Sequence, residues 1–156
     1  MIVFNNVEMR EHLHLILDHF LSLTYDDRYN RFFNTMGPDA IRDWILSVTE
    51  NSYSHYFFVE EGDDGRFIGV SVLGIIPGTN IAGIGISVTP EHRGKGVAKK
   101  LLSETIRVAK NLRVSDLEFE CLLCNYESKN LFTHFGFSSH YDPEQQCVVG
   151  HLKLVD

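Results

Sequence analysis

Residues 86–102 read ISVTPEHRGKGVAKKLL, a strand-like run followed by a glycine-rich turn and the start of an amphipathic helix. Gly94 and Gly96 let the backbone come close to an anion. A helix that begins there directs unpaired N–H groups and the positive end of its dipole at the same place. Arg93 and Lys95 add positive charge. The stretch therefore predicts a pyrophosphate site between a strand and a helix.

The chain around this stretch predicts a mixed α/β fold. Apolar positions recur at helical spacing after Gly96, which favours an amphipathic helix. Runs rich in valine, isoleucine and phenylalanine, separated by tight turns, predict an antiparallel meander of three strands before it. The predicted elements are a first strand, helices over 7–23 and 40–52, strands over 55–61, 66–76 and 80–89, a helix over 96–112, a strand over 116–123, a helix over 125–135, and strands over 137–141 and 147–154. The segment 24–33 fits either a second helix or an ordered loop.

Two glycines interrupt the third strand of the meander. Gly83 and Gly85 lie where glycine weakens a strand unless a bulge or a close neighbour needs the space. A ligand lying along the strand is one such neighbour. The sequence leaves the ligand and the β-bulge open as alternatives.

Length and composition predict one compact domain over residues 1–156, since 44% of the residues are apolar and low-complexity tracts are absent. The formal net charge of −7 argues against binding to nucleic acid or to a membrane surface, and favours a cationic small molecule or basic peptide as partner. No secretory leader and no run of about 18 apolar residues occurs. We therefore expect a cytoplasmic protein.

Cysteine and histidine spacing predicts no metal site. Cys121 and Cys124 form one C-x-x-C pair without a second pair, and reduced thiols are the simplest reading of the three cysteines. His12, His14 and His19 lack the i, i+4 spacing of a helical ligand pair.

Other loop chemistries fail at named positions. A P-loop needs serine or threonine after its lysine, where Gly96 stands. A dinucleotide fingerprint needs a third glycine at the position of Lys99. A nucleophile elbow around Ser71 would need glycine at the position of Leu73.

Two motifs resemble the acyl-CoA site of the GNAT superfamily of N-acyltransferases. Arg93-x-x-Gly96-x-Ala98 resembles the Gln/Arg-x-x-Gly-x-Gly/Ala signature. Asn125-x-x-Ser128-x-x-Leu-Phe132-x-x-Phe-Gly-Phe resembles the second signature, Asn-x-x-Ala-x-x-Leu-Tyr-x-x-x-Gly-Phe. The resemblance covers about residues 56–154, and residues 21–33 look like the Ser-x-Glu-Ser-x-Tyr-x-Arg-Phe-Phe segment of some bacterial members.

The resemblance implies a mixed, mostly antiparallel central sheet of about six to seven strands flanked by helices, with acetyl-CoA as acyl donor. It also implies the residues that bind the donor. These are Ile86, Ser87, Val88, Arg93, Gly94, Lys95, Gly96, Val97, Ala98, Lys99, Asn125, Ser128 and Phe132.

Catalysis by such a protein needs a group that accepts the proton of the amine. Glu120 lies where some members of the superfamily place a catalytic glutamate, and Glu118 shares its face of the predicted strand. Phe132 stands where many members carry a tyrosine that protonates the leaving thiolate, and phenylalanine has no proton to give. Tyr126 is the candidate in its place. Further candidates are Tyr141, Cys124 and His134.

The sequence therefore predicts an acetyl-CoA-dependent N-acetyltransferase acting on a primary amine of a small molecule or a protein. The alternative is an acyl-CoA-binding module or sensor without catalysis. The missing hydroxyl at Phe132 favours this alternative. The oligomeric state stays open between a monomer and a homodimer.

Overall fold

The structure, a computed structural model, describes residues 1–34, 36–50 and 55–155. Its strands are β1 (Ile2–Asn5), β2 (His55–Glu61), β3 (Phe67–Ile75), β4 (Ile81–Val88), β5 (Asp116–Cys121), β6 (Ser138–Asp142) and β7 (Cys147–Lys153). Its α-helices are α1 (Asn6–Met9), α2 (Leu13–Leu21), α3 (Tyr25–Phe32), α4 (Pro38–Glu50), α5 (Val97–Asn111) and α6 (Tyr126–His134). The predicted end of α4 at 51–52 lies outside the described residues.

The strands form one seven-stranded sheet in the order β1-β2-β3-β4-β5-β7-β6. Every neighbouring pair is antiparallel except β4 and β5. Those two run parallel and pair over Ile81–Gly83 and Asp116–Glu118. Beyond Gly83 and Glu118 they diverge, which opens the centre of the sheet. The predicted mixed fold with a mostly antiparallel sheet is confirmed.

Two apolar cores lie on opposite faces of the sheet. Leu101, Leu102 and Phe132 belong to the core that α5 and α6 form with one face. Phe20 and Ile45 belong to the core that α1, α2 and α4 form with the other. Burial of these side chains, each stabilising by about 1.5–3 kcal/mol, fixes both layers of helices against the sheet.

The N-terminal helical region is interrupted, whereas the periodicity predicts one helix over 7–23. Asn5 and Glu8 form a capping box that starts α1, and a 3₁₀ turn at Arg10–His12 separates α1 from α2. The turn places the Arg10 side chain against α4, where its guanidinium donates to the carbonyls of Thr49 and Glu50 at 2.6 and 3.0 Å. Those carbonyls are at the end of α4 and have no partner within the helix.

The segment that the sequence leaves open is a helix, α3. Thr24 caps it by accepting from the backbone N–H of Asp27 at 3.1 Å, and the Asp27 carboxylate accepts from the Thr24 N–H in return. The helix ends at Phe32, and the cap residue that follows it, Phe33, has a left-handed backbone with φ 58°. No helix in the described part of the chain is long and apolar enough to cross a bilayer.

Candidate active site

A cavity of about 1250 Å³ opens where β4 and β5 diverge. It collects most of the residues that the sequence predicts for donor binding, together with both candidate carboxylates. The predicted residues that line it are Ile86, Ser87, Val88, Arg93, Gly94, Gly96, Val97, Ala98, Lys99, Glu118, Glu120, Asn125, Ser128 and Phe132. Lys95 and Tyr126 are predicted site residues that do not line it.

The glycine loop, residues 93–96, joins the end of β4 to α5 through a 3₁₀ turn at Pro90–His92. Gly94 and Gly96 have φ 72° and 81°, a left-handed conformation that glycine adopts at no steric cost. No atom lies within 4 Å of the place where either residue would carry a Cβ. The loop therefore leaves open space in front of the N-terminus of a 15-residue helix, where an anion is favoured.

Arg93 connects this loop to α3. Its Nη2 atom lies 2.5 Å from the carboxylate of Asp27 and donates to the carbonyl of Val88 at 3.3 Å. Burial alone would raise the pKa of Asp27, but the hydrogen bonds from Arg93 and Thr24 outweigh it and lower that pKa. Asp27, which the sequence analysis did not single out, thus neutralises part of the charge that Arg93 brings to the cavity.

Ser87 is held in place by a buried histidine from α2. The Nδ1 and Nε2 atoms of His19 lie 2.8 Å from the carbonyl of Phe67 and from the hydroxyl of Ser87. The carbonyl accepts from Nδ1–H, so Nε2 accepts from the Ser87 hydroxyl. Burial lowers the pKa of His19 to about 4, and the ring is therefore neutral at pH 7. His19 is a structural group that fixes β3 and β4 relative to α2.

The start of α6 forms the opposite wall of the cavity. The side-chain oxygen of Asn125 caps this helix by accepting from the backbone N–H of Ser128 at 3.3 Å. Phe132, about one helical turn after Ser128, is 4% exposed and stacks on Phe119 with ring centroids 4.0 Å apart. Its edge packs on Phe137 at 5.1 Å. The aromatic ring at the usual tyrosine position is therefore mainly a core residue.

Two carboxylates enter the cavity from β5. Leu117 and Phe119 face the core of α5 and α6, so Glu118 and Glu120 face the other side of the sheet, as the alternation predicts. Glu118 is partly buried, pairs in register with Gly83, and lies 3.5 Å from Nδ1 of His151 on β7. Glu120 is exposed. Glu118 is thus the more enclosed of the two candidate bases.

The glycines of β4 do not mark a bulge, because the pairing with β3 continues without a shift through Gly83 and Gly85. The nearest atom to a Cβ at residue 83 would be the Glu118 carbonyl oxygen at 4.0 Å, so this position opens into the cavity. A Cβ at residue 85 would overlap the guanidinium of Arg31. Arg31 lines the cavity as well, and the sequence analysis assigned it no role.

The candidates for the general acid separate in the structure. Tyr126 is 68% exposed at the first turn of α6 and lies outside the cavity lining. Tyr141 and Cys124 also lie outside it, while His134 lines it. Within the described residues, no group of three or more metal-ligating side chains comes together.

Comparison with known proteins gives a family and a fold. Residues 17–137 match the acetyltransferase (GNAT) family. The sequence matches no curated protein. The structure resembles the GNAT domain of S. lividans PAT, with a TM-score of 0.76 and 18% identity over 92% of this chain and 86% of that one.

Two further solved structures share nearly the full length. An acetyltransferase of the GNAT family from Staphylococcus aureus Mu50 has a TM-score of 0.75 and 16% identity, over 99% of this chain and 98% of that one. Ribosomal-protein-alanine N-acetyltransferase from Brucella melitensis has a TM-score of 0.66 and 15% identity, over 99% and 100%. At these identities the structures establish a common fold.

Proposed function

The chain belongs to the GNAT acetyltransferase family, and on that premise we propose that it moves the acetyl group of acetyl-CoA to a primary amine of a small molecule or a protein. One observation supports this function above the others. A single cavity contains the glycine loop at the start of α5, the end of β4, the start of α6 and two carboxylates of β5. The residues proposed to bind the donor and the residues proposed to accept the proton therefore line the same cavity.

The glycine loop fits the diphosphate of the donor. Gly94 and Gly96 leave the space in front of the α5 N–H groups open, and Lys99 lines the same cavity with a positive charge. Asn125 and Ser128 line the other wall, where the pantetheine arm would lie. Beyond residue 83, alternate backbone groups of β4 face the gap toward β5, and these are the groups available to the thioester end.

The chemical step consists of amine attack on a thioester. The amine nitrogen bonds to the acetyl carbon, and the electron pair of the carbon–sulfur bond leaves with CoA as a thiolate. Two protons must leave the nitrogen. The first leaves before attack, because an alkylamine with a pKa of about 10.4 is almost fully protonated at pH 7, and the second leaves once the carbon–nitrogen bond has formed and passes to the thiolate or to solvent. Glu118 and Glu120 are the proposed acceptors of the first proton, directly or through water. The assignment of the general acid to Tyr126 stays a prediction.

Donor binding is tested by a matched pair of variants at Gly96. Asparagine and aspartate both tolerate the left-handed backbone better than other residues, and they differ by one charge. In calorimetric titration with acetyl-CoA, Gly96→Asp is expected to weaken binding at least tenfold more than Gly96→Asn. Equal affinities for the two variants would show that no phosphate lies at this loop.

Turnover is tested by the release of free CoA thiol across polyamines, aminoglycosides, amino acids and lysine peptides. Thiol release that depends on an acceptor supports the enzyme. The non-catalytic acyl-CoA-binding module is the second candidate, and Phe132 favours it because the residue brings no hydroxyl to the leaving sulfur. Acetyl-CoA binding without thiol release for any acceptor would favour that candidate.

A further inference from the structure

The guanidinium of Arg31 lies directly on the backbone of β4. It occupies the space that a side chain at residue 85 would need, so its position depends on glycine there. Its Cζ atom lies 4.9 Å from the centre of the Phe32 ring and 5.4 Å from that of Trp44. The two rings pack edge to face, 5.2 Å apart. Arg31 is therefore held in one place by α3, α4 and β4.

Asp27, one turn earlier on α3, is paired with Arg93, and no acidic side chain among the described residues forms an ion pair with Arg31. In the described ranges 1–34, 36–50 and 55–155, Arg31 forms no ion pair and no hydrogen bond, and its buried Nε has no partner. Burial lowers the pKa of Arg31 to about 10, so the side chain is still charged at pH 7. Arg31 as a residue is partly buried, and a partly buried charge without a partner is costly to the folded protein. Such a cost is typical of a group that serves a ligand.

The position of Arg31 relative to Glu118 limits the size of that ligand. Gly83 and Gly85 lie on the same face of β4, about 6.5–7 Å apart along the strand. Glu118 pairs with Gly83 on the neighbouring strand, about 4.8 Å away. A cation at Gly85 and an acid beside Gly83 thus line one cavity within the span of a small molecule.

We propose that the acceptor is a small amine that carries a carboxylate, an amino-acid-like zwitterion whose carboxylate is bound by Arg31. The guanidinium offers a planar pair of N–H donors that matches a carboxylate. The amine end then lies toward Glu118, the proposed proton acceptor. This inference rests on the proposed function and narrows its acceptor, since a polyamine or aminoglycoside would bring no anion to Arg31.

A carboxylate on the acyl chain of the donor is the other source of the same chemistry. Arg31 packs on Phe32 and Trp44, which belong to the core on one face of the sheet. The proposed donor residues Val97 and Phe132 belong to the core that α5 and α6 form on the other face. The acceptor side is therefore the favoured source, and the two are separated by using succinyl-CoA beside acetyl-CoA.

The test compares amino acids with their decarboxylated amines and their carboxamides in the thiol-release assay. Arg31→Gln removes the charge and keeps a planar polar end over the two rings. We expect it to raise KM for the amino acid about ten- to hundredfold, the usual loss for a charged hydrogen-bonded pair. The Kd for acetyl-CoA should stay within twofold. Arg42→Gln, an exposed change on α4, is the matched control.

Gly85→Ala is a second variant that keeps the charge of Arg31 but displaces its guanidinium, and it should raise the same KM. The inference is overturned if Arg31→Gln and Gly85→Ala leave that KM unchanged, if amines without an anion are the better acceptors, or if Arg31→Gln impairs only succinyl-CoA. The proposed function survives each of these results. If no acceptor is turned over, calorimetric titration of the CoA-loaded protein with amino acids tests the inference separately. An amino-acid affinity that is the same in the wild type and in Arg31→Gln overturns it.

Discussion

The carboxylate of Asp27 lies 2.5 Å from the guanidinium of Arg93 and ties α3 to the glycine loop. The two residues come from segments that the resemblance treats separately: Arg93 from the donor motif, Asp27 from the N-terminal helices. Both line the same cavity. A diphosphate bound at the loop must therefore share Arg93 with an acidic side chain.

Asp27→Asn should tighten acetyl-CoA binding. The change removes a negative charge from the cavity wall and frees Arg93, and at low salt we expect a gain of about two- to tenfold in affinity. Calorimetric titration at two salt concentrations measures it, with the exposed neighbour Asp26→Asn as control. Weaker binding by Asp27→Asn would mean that the ion pair shapes the loop instead of competing with the donor.

Glu118→Gln and Glu120→Gln should differ in their effects on turnover. Glu118 is the more enclosed residue, and its loss is expected to reduce kcat about a hundredfold at pH 7. The reduction should shrink toward pH 9.5, because more of the amine is then neutral without help. Initial rates from pH 6.5 to 9.5 test this.

For Glu120→Gln, which changes an exposed side chain, we expect a loss of less than tenfold at every pH. The opposite ranking would return the role of base to Glu120, the residue that the sequence favours.

The free energy of unfolding should decrease as the pH is lowered, because His19 titrates. The folded protein keeps this ring neutral down to a pKa of about 4, while the unfolded chain takes up a proton near 6.5. Protonation therefore favours the unfolded state between these values, and the full stability is present above about pH 6.5. The difference corresponds to roughly 3 kcal/mol at pH 4.

Urea unfolding at pH 7.5, 5.5 and 4.5 measures this dependence. In His19→Gln the unfolding free energy should depend less steeply on pH, because most of the loss assigned to His19 is then absent. His14→Gln, an exposed change on the same helix, should keep the wild-type slope. If His19→Gln keeps it too, another group carries the acid sensitivity.

Tyr126→Phe should change kcat less than threefold, because Tyr126 is 68% exposed and lies outside the cavity lining. The measurement is steady-state thiol release, with circular dichroism as a check of folding. A loss of more than tenfold would establish Tyr126 as the donor of the leaving-group proton. It would also require α6 to move when the donor binds.

The sequence predicts the sheet and its helices well because their patterns are local. The alternation in β5 assigns Leu117 and Phe119 to the core and Glu118 and Glu120 to the other face, and the structure agrees. The segment 24–33 is ambiguous because α3 has no buried residue of its own. It is the capping box at Thr24, with Asp27, that starts this helix.

The donor side of the site is predictable for the same reason, since the glycine loop is continuous in the chain. Adjacency in the sequence does not ensure adjacency in the site. Lys95 lies between two glycines of positive φ that line the cavity, but it does not line the cavity itself. The position of Arg31 in the site depends on a contact between α3 and β4, and no residue spacing in the sequence predicts that contact. Gly85 is the sequence signal of that contact, because a glycine within a strand that has no bulge indicates that another group packs closely on the backbone there.

The divergence of β4 from β5 gives the protein an internal strand edge. Residues 84–88 are paired with β3 on one side, and β5 has moved away on the other. Alternate amide protons of this edge should therefore exchange quickly with deuterated solvent in the free protein. An extended ligand that fills the gap should slow them, so exchange at this edge reports occupancy of the site without an acceptor or any turnover.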